Sequence, residues 1–138
     1  MKKLLMGVMV GALFAGIAMA AENKEEKIAL QAAENWLALV DGGQYGESWD
    51  EAATIFKGAI TREQWEQALS NVHAPLGALV NRTLLGAKYV TELPGAPEGQ
   101  YVVIQYKTDH KNKQGIVETI TPMLDKDQTW RVSGYYIK

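Results

Sequence analysis

Two residues near the C-terminus, Glu118 and Tyr135, have side chains that could carry out acid–base chemistry together. We expect residues 115–124 and 129–138 to form a β-hairpin around the turn 125–128. Counting outward from that turn places Glu118 directly opposite Tyr135. A carboxylate in this position could abstract a proton while the phenol hydroxyl stabilises an enolate. The pair is therefore a candidate acid–base site for a cofactor-free lyase or isomerase.

The same strand register gives a simpler interpretation of Glu118. It divides the side chains of the hairpin between two faces, which a slip of one residue would exchange. The face without charges is assigned to the core and consists of Val117, Thr119, Thr121, Met123, Trp130, Val132, Gly134 and Tyr136. The other face contains Glu118 and Arg131, so we expect it to meet water, a partner subunit or a pocket. Its apolar members, which suit a homodimer interface, are Ile116, Ile120, Leu124, Tyr135 and Ile137. On this interpretation Glu118 is an exposed carboxylate without a catalytic role.

Aromatic residues spread along the chain give a second kind of candidate site. Concave domains of this size hold apolar pockets, and aromatic rings between helices and sheet could line one. The candidate ligand-binding residues are Trp36, Trp49, Phe56, Tyr106 and Trp130, with Trp65 in the same aromatic set. The alternative is that these rings fill the core that any domain of this length needs.

The sequence offers little for other kinds of catalysis. It has no cysteine, which excludes disulfides and thiol chemistry. His73 and His110 are the only histidines and lack the spacing of metal ligands. His73 is interpreted as a residue at a helix C-terminus, where the helix dipole favours it. No Gly-x-Ser-x-Gly elbow and no phosphate-binding glycine loop occurs. We therefore expect no metal and no cofactor.

The N-terminus has the three parts of a secretory signal peptide. Lys2 and Lys3 precede an apolar run over residues 4–18, and Ala18-Met19-Ala20 is a small-x-small cleavage site. We expect cleavage near Ala20, which leaves a periplasmic protein with a single domain over residues 21–138. The alternative is an uncleaved membrane anchor, but the apolar run is short for a spanning helix.

The charge of the cleaved chain narrows the classes of partner. Cleavage removes Lys2 and Lys3 and no acidic residue, so the net charge changes from −2 to −4. A mildly acidic domain lacks the basic surface of a nucleic-acid binder. It also lacks a polybasic patch for an anionic membrane. The partners that remain are a small apolar ligand, another protein or a second copy of the chain.

Hydrophobic periodicity predicts three helices followed by four antiparallel strands. The predicted helices cover residues 22–40, residues 45–56, and residue 61 to a stop at Pro75 and Gly77. The predicted strands cover residues 79–89, residues 101–108 and the two arms of the hairpin. Thr61 and Gln64 have the spacing of a capping box, and Gly86 marks a bulge in the first strand. A polar turn is expected over residues 109–114. This order predicts an α+β fold with helices on one face of a curved antiparallel sheet.

Short motifs spread over nearly the whole of the cleaved chain carry a family resemblance. They are Trp36-Leu37-Ala38-Leu39-Val40-Asp41-Gly42-Gly43, Tyr45, Ser48-Trp49, Phe56-Lys57, Trp65, Pro75-Leu76-Gly77, Leu93-Pro94-Gly95, Glu118-Thr119 and Trp130-Arg131-Val132-Ser133-Gly134-Tyr135. The chain resembles the bacterial domain-of-unknown-function family 4019, which consists of small exported proteins without an assigned activity. It is similar, more distantly, to the cone-shaped nuclear transport factor two-like or cystatin-like folds, which host isomerase-type enzymes, dehydratases and binding modules. Gln128 departs from the pattern, because a glycine is expected at that position of the turn.

These observations predict an exported, non-catalytic binding or interaction module with a pocket for a small ligand. The alternative is a cofactor-free lyase or isomerase that uses Glu118 and Tyr135, and a third hypothesis is a purely structural module. The environment of Glu118 discriminates among them. A buried Glu118 with a raised pKa would favour the enzyme, and an exposed Glu118 in a subunit contact would favour the interaction module.

Overall fold

The computed structural model describes residues 23–138, in which four helices precede a four-stranded sheet. The helices are α1 (Lys24–Asp41), α2 (Tyr45–Asp50), α3 (Thr54–Ala59) and α4 (Arg62–His73), and a 3-10 turn (Ala74–Leu76) follows α4. The strands are β1 (Leu79–Val90), β2 (Tyr101–His110), β3 (Lys113–Leu124) and β4 (Trp130–Ile137). The predicted signal peptide, residues 1–20, lies outside the described residues.

Helix α1 lies across the sheet and contacts all four strands. Asn23 caps its start, since its side-chain oxygen accepts a 2.7 Å hydrogen bond from the backbone N–H of Glu26. Gly43, with φ of 78°, reverses the chain after the helix. The buried side of the helix recurs at steps of three and four residues: Ala29, Ala33, Trp36, Leu37 and Val40. The helix predicted over residues 22–40 is confirmed to within two residues.

The single second helix predicted over residues 45–56 is wrong, because the chain forms α2 and α3 with a break between them. At the break, the backbone N–H of Ala53 donates to the carbonyl of Val132 on β4 at 2.8 Å. The N–H and the hydroxyl of Thr54 both donate to the Asp125 carboxylate, at 2.9 and 3.0 Å. These tertiary hydrogen bonds replace helical ones and attach α3 to the turn between β3 and β4.

Helix α4 begins and ends as the sequence predicts. The Thr61 hydroxyl accepts a hydrogen bond from the Gln64 N–H at 3.1 Å, and the Gln64 side chain accepts one from the Thr61 N–H at 3.0 Å. The 3-10 turn after it stops at Gly77, which has φ of 78°. The positive φ favours glycine, and a Cβ at that position would also displace the Asn112 side chain, which would lie 2.9 Å away.

The sheet is antiparallel throughout, with the order β1-β2-β3-β4, and the described strands do not close it into a barrel. The bulge predicted at Gly86 is confirmed, because the β1–β2 register shifts between Leu84 and Gly86. The polar turn predicted over residues 109–114 is wrong. His110 pairs with Lys113, so the turn shrinks to two residues, and a register shift beside it lets the polar residues extend the ladder.

The register predicted for β3 and β4 is wrong, and the turn between the strands is the first reason. The backbone N–H of Asp125 donates to the Thr129 carbonyl at 2.9 Å, which encloses three residues in the turn where two were expected. Gln128 has φ of 68° there, the left-handed geometry that three-residue hairpin loops use. The odd loop length moves the pairing by one residue, so Leu124 lies opposite Trp130.

A bulge on β4 is the second reason. Pro122 pairs with Val132, but Thr121 pairs with Gly134, so Ser133 is the extra residue on β4. Pro122, which has no N–H to donate to the ladder, lies at this bulge.

The core and outer faces of β3 are exchanged relative to the prediction, because Glu118, whose charge was used to assign the outer face, is buried. The two register shifts add up to two residues, so Glu118 and Tyr135 remain on one face. Glu118 pairs with Ile137 rather than with Tyr135, and it points into the core. Ile116, Glu118 and Ile120 have 3%, 0% and 0% of their surface exposed. The prediction that this face meets water or a second subunit is therefore wrong, and the homodimer itself stays a prediction. Of the residues predicted for the core face, Val132 is buried in the main core and Trp130 packs against it.

The main core fills the space between the helices and one face of the sheet. The helices and the break between α2 and α3 contribute Ala29, Ala33, Trp36, Leu37, Val40, Ala52, Phe56, Trp65 and Leu69. The strands contribute Ala87, Val102, Ile104, Tyr106, Ile120 and Val132. The predicted α+β class is confirmed. The cone-shaped likeness is not confirmed and stays a prediction.

Candidate functional site

An open groove runs along the seam between α1, α2 and β4. Its deeper segment has a volume of about 480 Å³ and is lined by Ala32, Asn35, Trp36, Leu39, Glu47, Glu51, Thr129, Trp130, Arg131 and Val132. The adjoining segment has a volume of about 640 Å³ and adds Lys27, Ile28, Gln31 and Gln128. Both segments share Ala32, Asn35, Thr129 and Trp130, so they form one continuous surface. We call this surface the α1–β4 groove.

Three of the four tryptophans are fixed by hydrogen bonds of their indole N–H groups. Trp36 donates to the Ser48 carbonyl at 2.8 Å, and Trp65 donates to the Ser48 hydroxyl at 2.9 Å. Trp49 donates to the Ile60 carbonyl at 2.8 Å. A buried indole without a partner would be costly, so these bonds mark the three rings as structural. Two of the bonds converge on α2 and fix it against α1 and α4.

Trp130 differs from the other three. Its ring is half-buried on the floor of the groove, and its indole N–H forms no hydrogen bond with any residue in the range 23–138. A half-exposed indole presents an apolar ring and a hydrogen-bond donor at the same place. Trp130 is thus the tryptophan whose ring and N–H are available to a ligand.

Two carboxylates, Glu47 and Glu51, stand one helical turn apart on the α2 wall of the groove. Both are exposed, and neither forms a hydrogen bond or an ion pair with a described residue. Arg131 lies in the opposite wall, but its charge is already paired. Its Nη2 lies 2.7 Å from the Asp127 carboxylate and its Nε lies 3.8 Å from the Asp125 carboxylate. The groove therefore has an acidic α2 end over an apolar floor.

A second polar cluster lies in the core, centred on the fully buried Glu118. Its Oε1 accepts hydrogen bonds from Arg82 Nε at 2.7 Å and from the Thr108 hydroxyl at 3.0 Å. Its Oε2 accepts from Arg82 Nη2 at 3.2 Å and from the Tyr135 hydroxyl at 2.6 Å. Arg82 also donates to both oxygens of Asp41, at 2.8 and 3.0 Å. A carboxylate has about four acceptor positions, so Glu118 has none left for a substrate.

Glu118 stays ionised in spite of its burial. Burial is the strongest single influence and opposes the charge, but the hydrogen bonds and charge of Arg82, with hydrogen bonds from Tyr135 and Thr108, hold the pKa of Glu118 below its ordinary value. Burial, together with the charge of Glu118, raises the pKa of Tyr135. A general base needs a free lone pair and a pKa near the working pH. Glu118 is buried as the enzyme hypothesis requires, but its pKa moves in the opposite direction.

His73 extends this cluster to helix α4. The Tyr135 hydroxyl donates to Glu118, so its oxygen accepts from the Nε2–H of His73, 3.1 Å away. Burial lowers the pKa of His73, the charge of Glu118 opposes this, and His110 adds to the lowering. The sequence places His73 correctly at the end of a helix. It does not predict the contact with Tyr135.

Comparison with protein-family models finds a match to the family described as "Protein of unknown function (DUF4019)" over residues 32–135. The match covers well over half of the chain. The chain belongs to this family. The resemblance inferred from the sequence is confirmed at this level, and the more distant likeness to the nuclear transport factor two-like fold is not. No curated protein and no solved structure gave a match.

The DUF4019 segment contains most of both sites. Glu47, Glu51 and Trp130 of the groove lie inside it, and so do Glu118 and Tyr135 of the core cluster. Lys27 and Ile28, which line the adjoining segment of the groove, precede the matched residues 32–135. The acidic end of the groove is thus part of the family domain.

The aromatic residues predicted to line a pocket divide into two groups in this DUF4019 domain. Trp36 and Trp130 line the groove. Trp49, Phe56 and Tyr106 line neither of its segments, because Phe56 and Tyr106 are buried in the main core and Trp49 packs against it. Burial raises the pKa of Tyr106 to about 12, and its hydroxyl has no hydrogen-bond partner among the described residues.

Sequence reasoning missed several residues of both sites. Glu47 and Glu51 had a readable signal, because like charges four residues apart on a helix repel each other and need a reason. Arg82 had no such signal, since Glu118 is 36 positions away in the sequence and only the folding of the sheet brings the two side chains together. Asp41 had no sequence signal either, since its carboxylate pairs with Arg82 across 41 positions of the chain.

Residues 23–138 contain neither a cluster of metal ligands nor a membrane-spanning helix. Over residues 23–138, no group of three or more His, Asp and Glu side chains is placed to hold a metal ion. No helix in that part of the chain is both long enough and apolar enough to cross a membrane.

Proposed function

We propose that this DUF4019 protein is a non-catalytic binding module that holds a small, largely apolar ligand in the α1–β4 groove. The observation that carries the proposal is Trp130, whose half-buried ring and unbonded indole N–H form the floor of an open groove. The deeper segment, at about 480 Å³, is within the usual size of small-molecule sites, roughly 300–1,000 Å³. The signal sequence supports the periplasm as its compartment.

The walls of the groove favour binding because they are already fixed. Trp36 is held by the Ser48 carbonyl, and the β4 wall is held by the hydrogen bond from Ala53 to Val132. A site whose walls do not need to be ordered on binding loses less entropy when a ligand enters. The groove is therefore suited to a ligand without large movement of α1 or β4.

Catalysis by Glu118 and Tyr135 receives less support from the geometry. Their side chains do touch, at 2.6 Å. However, the Glu118 carboxylate has no exposed surface, all its acceptor positions are used, and it lines neither segment of the groove. A structural role for this cluster explains each of its contacts, so we do not propose a lyase or isomerase.

The proposal is tested by native mass spectrometry of the cleaved protein purified from its own periplasm. We expect an added mass on the wild-type protein that disappears on denaturation and that is absent from Trp130→Ala. Tyr136→Ala is the matched control, because Tyr136 is an exposed aromatic on β4 that does not line the groove. Absence of added mass from the wild type, or its survival in Trp130→Ala, counts against the proposal. The same spectrum tests the predicted homodimer.

A further inference from the structure

We infer that the α1–β4 groove selects a positively charged ligand, namely an apolar chain or ring with an organic ammonium group that lies at the α2 end. The inference rests on the binding function proposed above and adds the chemical class of the ligand. It is carried by the two unpaired carboxylates, the paired state of the nearby arginine, and the aromatic floor between them.

The acidic residues of α2 and its C-cap differ in whether their side chains face the groove. Asp50 points away from the groove and is paired with Arg62, with two N–O distances of 3.0 Å. Glu47 and Glu51 line the groove and form no hydrogen bond or ion pair within the described residues, although Glu47 attracts Arg62 and Glu51 attracts Arg131 at longer range. Like charges one helical turn apart repel each other, and a cation placed between them would remove that repulsion. The α2 wall thus offers two anionic groups to a ligand and no cation of its own.

The charge of Arg131 does not neutralise this end of the groove. It is held by Asp127 at 2.7 Å, with Asp125 3.8 Å away, and Glu51 adds a longer-range attraction, so the carboxylates around Arg131 outnumber its single charge. The other cation of the groove, Lys27, lies at the opposite end. From Lys27 to Leu39 the groove follows twelve residues of α1, which is about 18 Å at 1.5 Å per residue. The two ends therefore differ in charge and give a bound cation a fixed direction.

The floor of the groove suits the rest of such a ligand. Trp130 exposes part of its ring, and the face of an indole attracts an ammonium group within about 6 Å. Leu39 and Ala32 are half-buried beside it and can contact an apolar chain. A neutral apolar ligand would use this floor but not the carboxylates, and an anionic ligand would be repelled by them.

Three eight-carbon probes that differ only in their head group separate these possibilities: octylammonium, 1-octanol and octanoate. Each is titrated into the cleaved protein, and the indole ¹H–¹⁵N resonance of Trp130, identified by its loss in Trp130→Phe, reports the binding. We expect octylammonium to bind about tenfold more tightly than octanol, from two partly exposed carboxylates and one cation–π contact. Octanoate should bind more weakly than octanol. Raising the salt concentration should weaken octylammonium alone.

A double variant tests the carboxylates directly. In the variant with Glu47→Gln and Glu51→Gln, the affinity for octylammonium should fall to the affinity of the same variant for octanol. Glu92→Gln with Glu98→Gln is the control, because these glutamates lie in the loop between β1 and β2 and line neither segment of the groove. That control should keep the preference for the cation.

The outcomes separate this inference from the proposed function. If Trp130 responds to octylammonium and octanol with equal affinity, the groove binds apolar ligands without regard to charge, and the inference is overturned while the proposed function stands. A preference that persists in the Glu47/Glu51 double variant also overturns it. If Trp130 responds to none of the probes, the groove does not bind ligands of this size, and both fail.

Discussion

The hydroxyl of Tyr135 lies 2.6 Å from the carboxylate of Glu118, although strand pairing places Glu118 opposite Ile137. The contact therefore runs diagonally across the inner face of β3 and β4. The Tyr135 hydroxyl also forms a hydrogen bond with His73, and the Glu118 carboxylate also accepts hydrogen bonds from Arg82. A buried charge thus ties the last strand to helix α4 and to strand β1.

Replacing Glu118 by glutamine should destabilise the protein strongly. Arg82 would keep Asp41 but lose its charge-assisted hydrogen bonds to the buried carboxylate, and each hydrogen bond to a charged group contributes about 1.5–3 kcal/mol. Urea unfolding followed by tryptophan fluorescence measures the change. The exposed Glu98→Gln should change the free energy of unfolding by less than about 0.5 kcal/mol. A loss below about 1 kcal/mol for Glu118→Gln would contradict the structural role assigned to this residue.

The Tyr135→Phe variant removes one donor from the same carboxylate and leaves the ring in place. Because the acceptor is charged, we expect a loss of about 1.5–3 kcal/mol in the free energy of unfolding. The double variant with Glu118→Gln should lose less than the sum of the two single changes, since the two groups share one hydrogen bond. Additive losses in this cycle would mean that the 2.6 Å contact does not contribute to stability.

The protein should lose stability as the pH falls from about 7.5 to 5.5, and His73 should account for part of that loss. Its folded pKa lies below the ordinary value of 6.5, mainly through burial, so the unfolded chain binds the proton more readily. The contribution of neutral His73 is therefore complete above pH 6.5 and declines as the pH falls below it. Thermal unfolding of His73→Gln should show a shallower decline over this range. An equally steep decline in the variant would exclude His73 as a source.

Gln128→Gly should stabilise the protein or leave it unchanged, which is unusual for a substitution by glycine. Gln128 has φ of 68°, a conformation that costs a residue with a side chain about 1 kcal/mol. Glycine adopts it freely but loses more entropy on folding, so the net gain should be between zero and about 1 kcal/mol. Lys126→Gly, in the same turn but without a positive φ, should destabilise by about 0.5–1 kcal/mol. Differential scanning calorimetry of both variants tests the contrast, and equal shifts would refute it.

Ser48→Ala should weaken the attachment of α2. The Ser48 hydroxyl accepts from the Trp65 indole at 2.9 Å and donates to the Tyr45 carbonyl at 2.6 Å. Removing it leaves a buried indole N–H without a partner, which costs about 1–3 kcal/mol in the free energy of unfolding. Ser70→Ala is the control, because Ser70 is half-buried without a side-chain hydrogen bond among the described residues. The emission of Trp65 should change in the first variant and not in the second.

The fold was predictable where the signal is local. The capping box of Thr61 and Gln64 and the bulge at Gly86 appear where short motifs predict them. The break in the predicted second helix was not predictable. There, the backbone N–H groups of Ala53 and Thr54 bond to Val132 on β4 and to Asp125 in the turn before β4 instead of forming helical hydrogen bonds. The sequence of the predicted helix carries the helical period, and no local pattern indicates the tertiary contacts that interrupt it.

The candidate sites were less predictable than the fold. The sequence predicts a contact between Glu118 and Tyr135 because it places them directly opposite each other, and that register is wrong at two places. The two side chains still touch, but as diagonal neighbours on adjacent strands. The partners of Glu118 on β1 and β2, Arg82 and Thr108, could not be found from spacing. The groove was partly predictable, because Trp36 and Trp130 were candidates, but their different roles depend on which indole finds a hydrogen bond.

The bulge at Ser133 changes which side chains of β4 face the core, because it adds one residue between Val132 and Tyr135. Between Val132 and Tyr135 the chain takes three steps, although both side chains reach the same interior, where a regular strand would need an even number. Deleting either Ser133 or Gly134 would leave two steps between Val132 and Tyr135, which restores an ordinary ladder and keeps Tyr135 on the inner side. Deleting Arg131 would leave a single step between Trp130 and Val132, so these two side chains could no longer share the inner face. One-residue deletions on the two sides of Val132 should therefore have opposite consequences for the core.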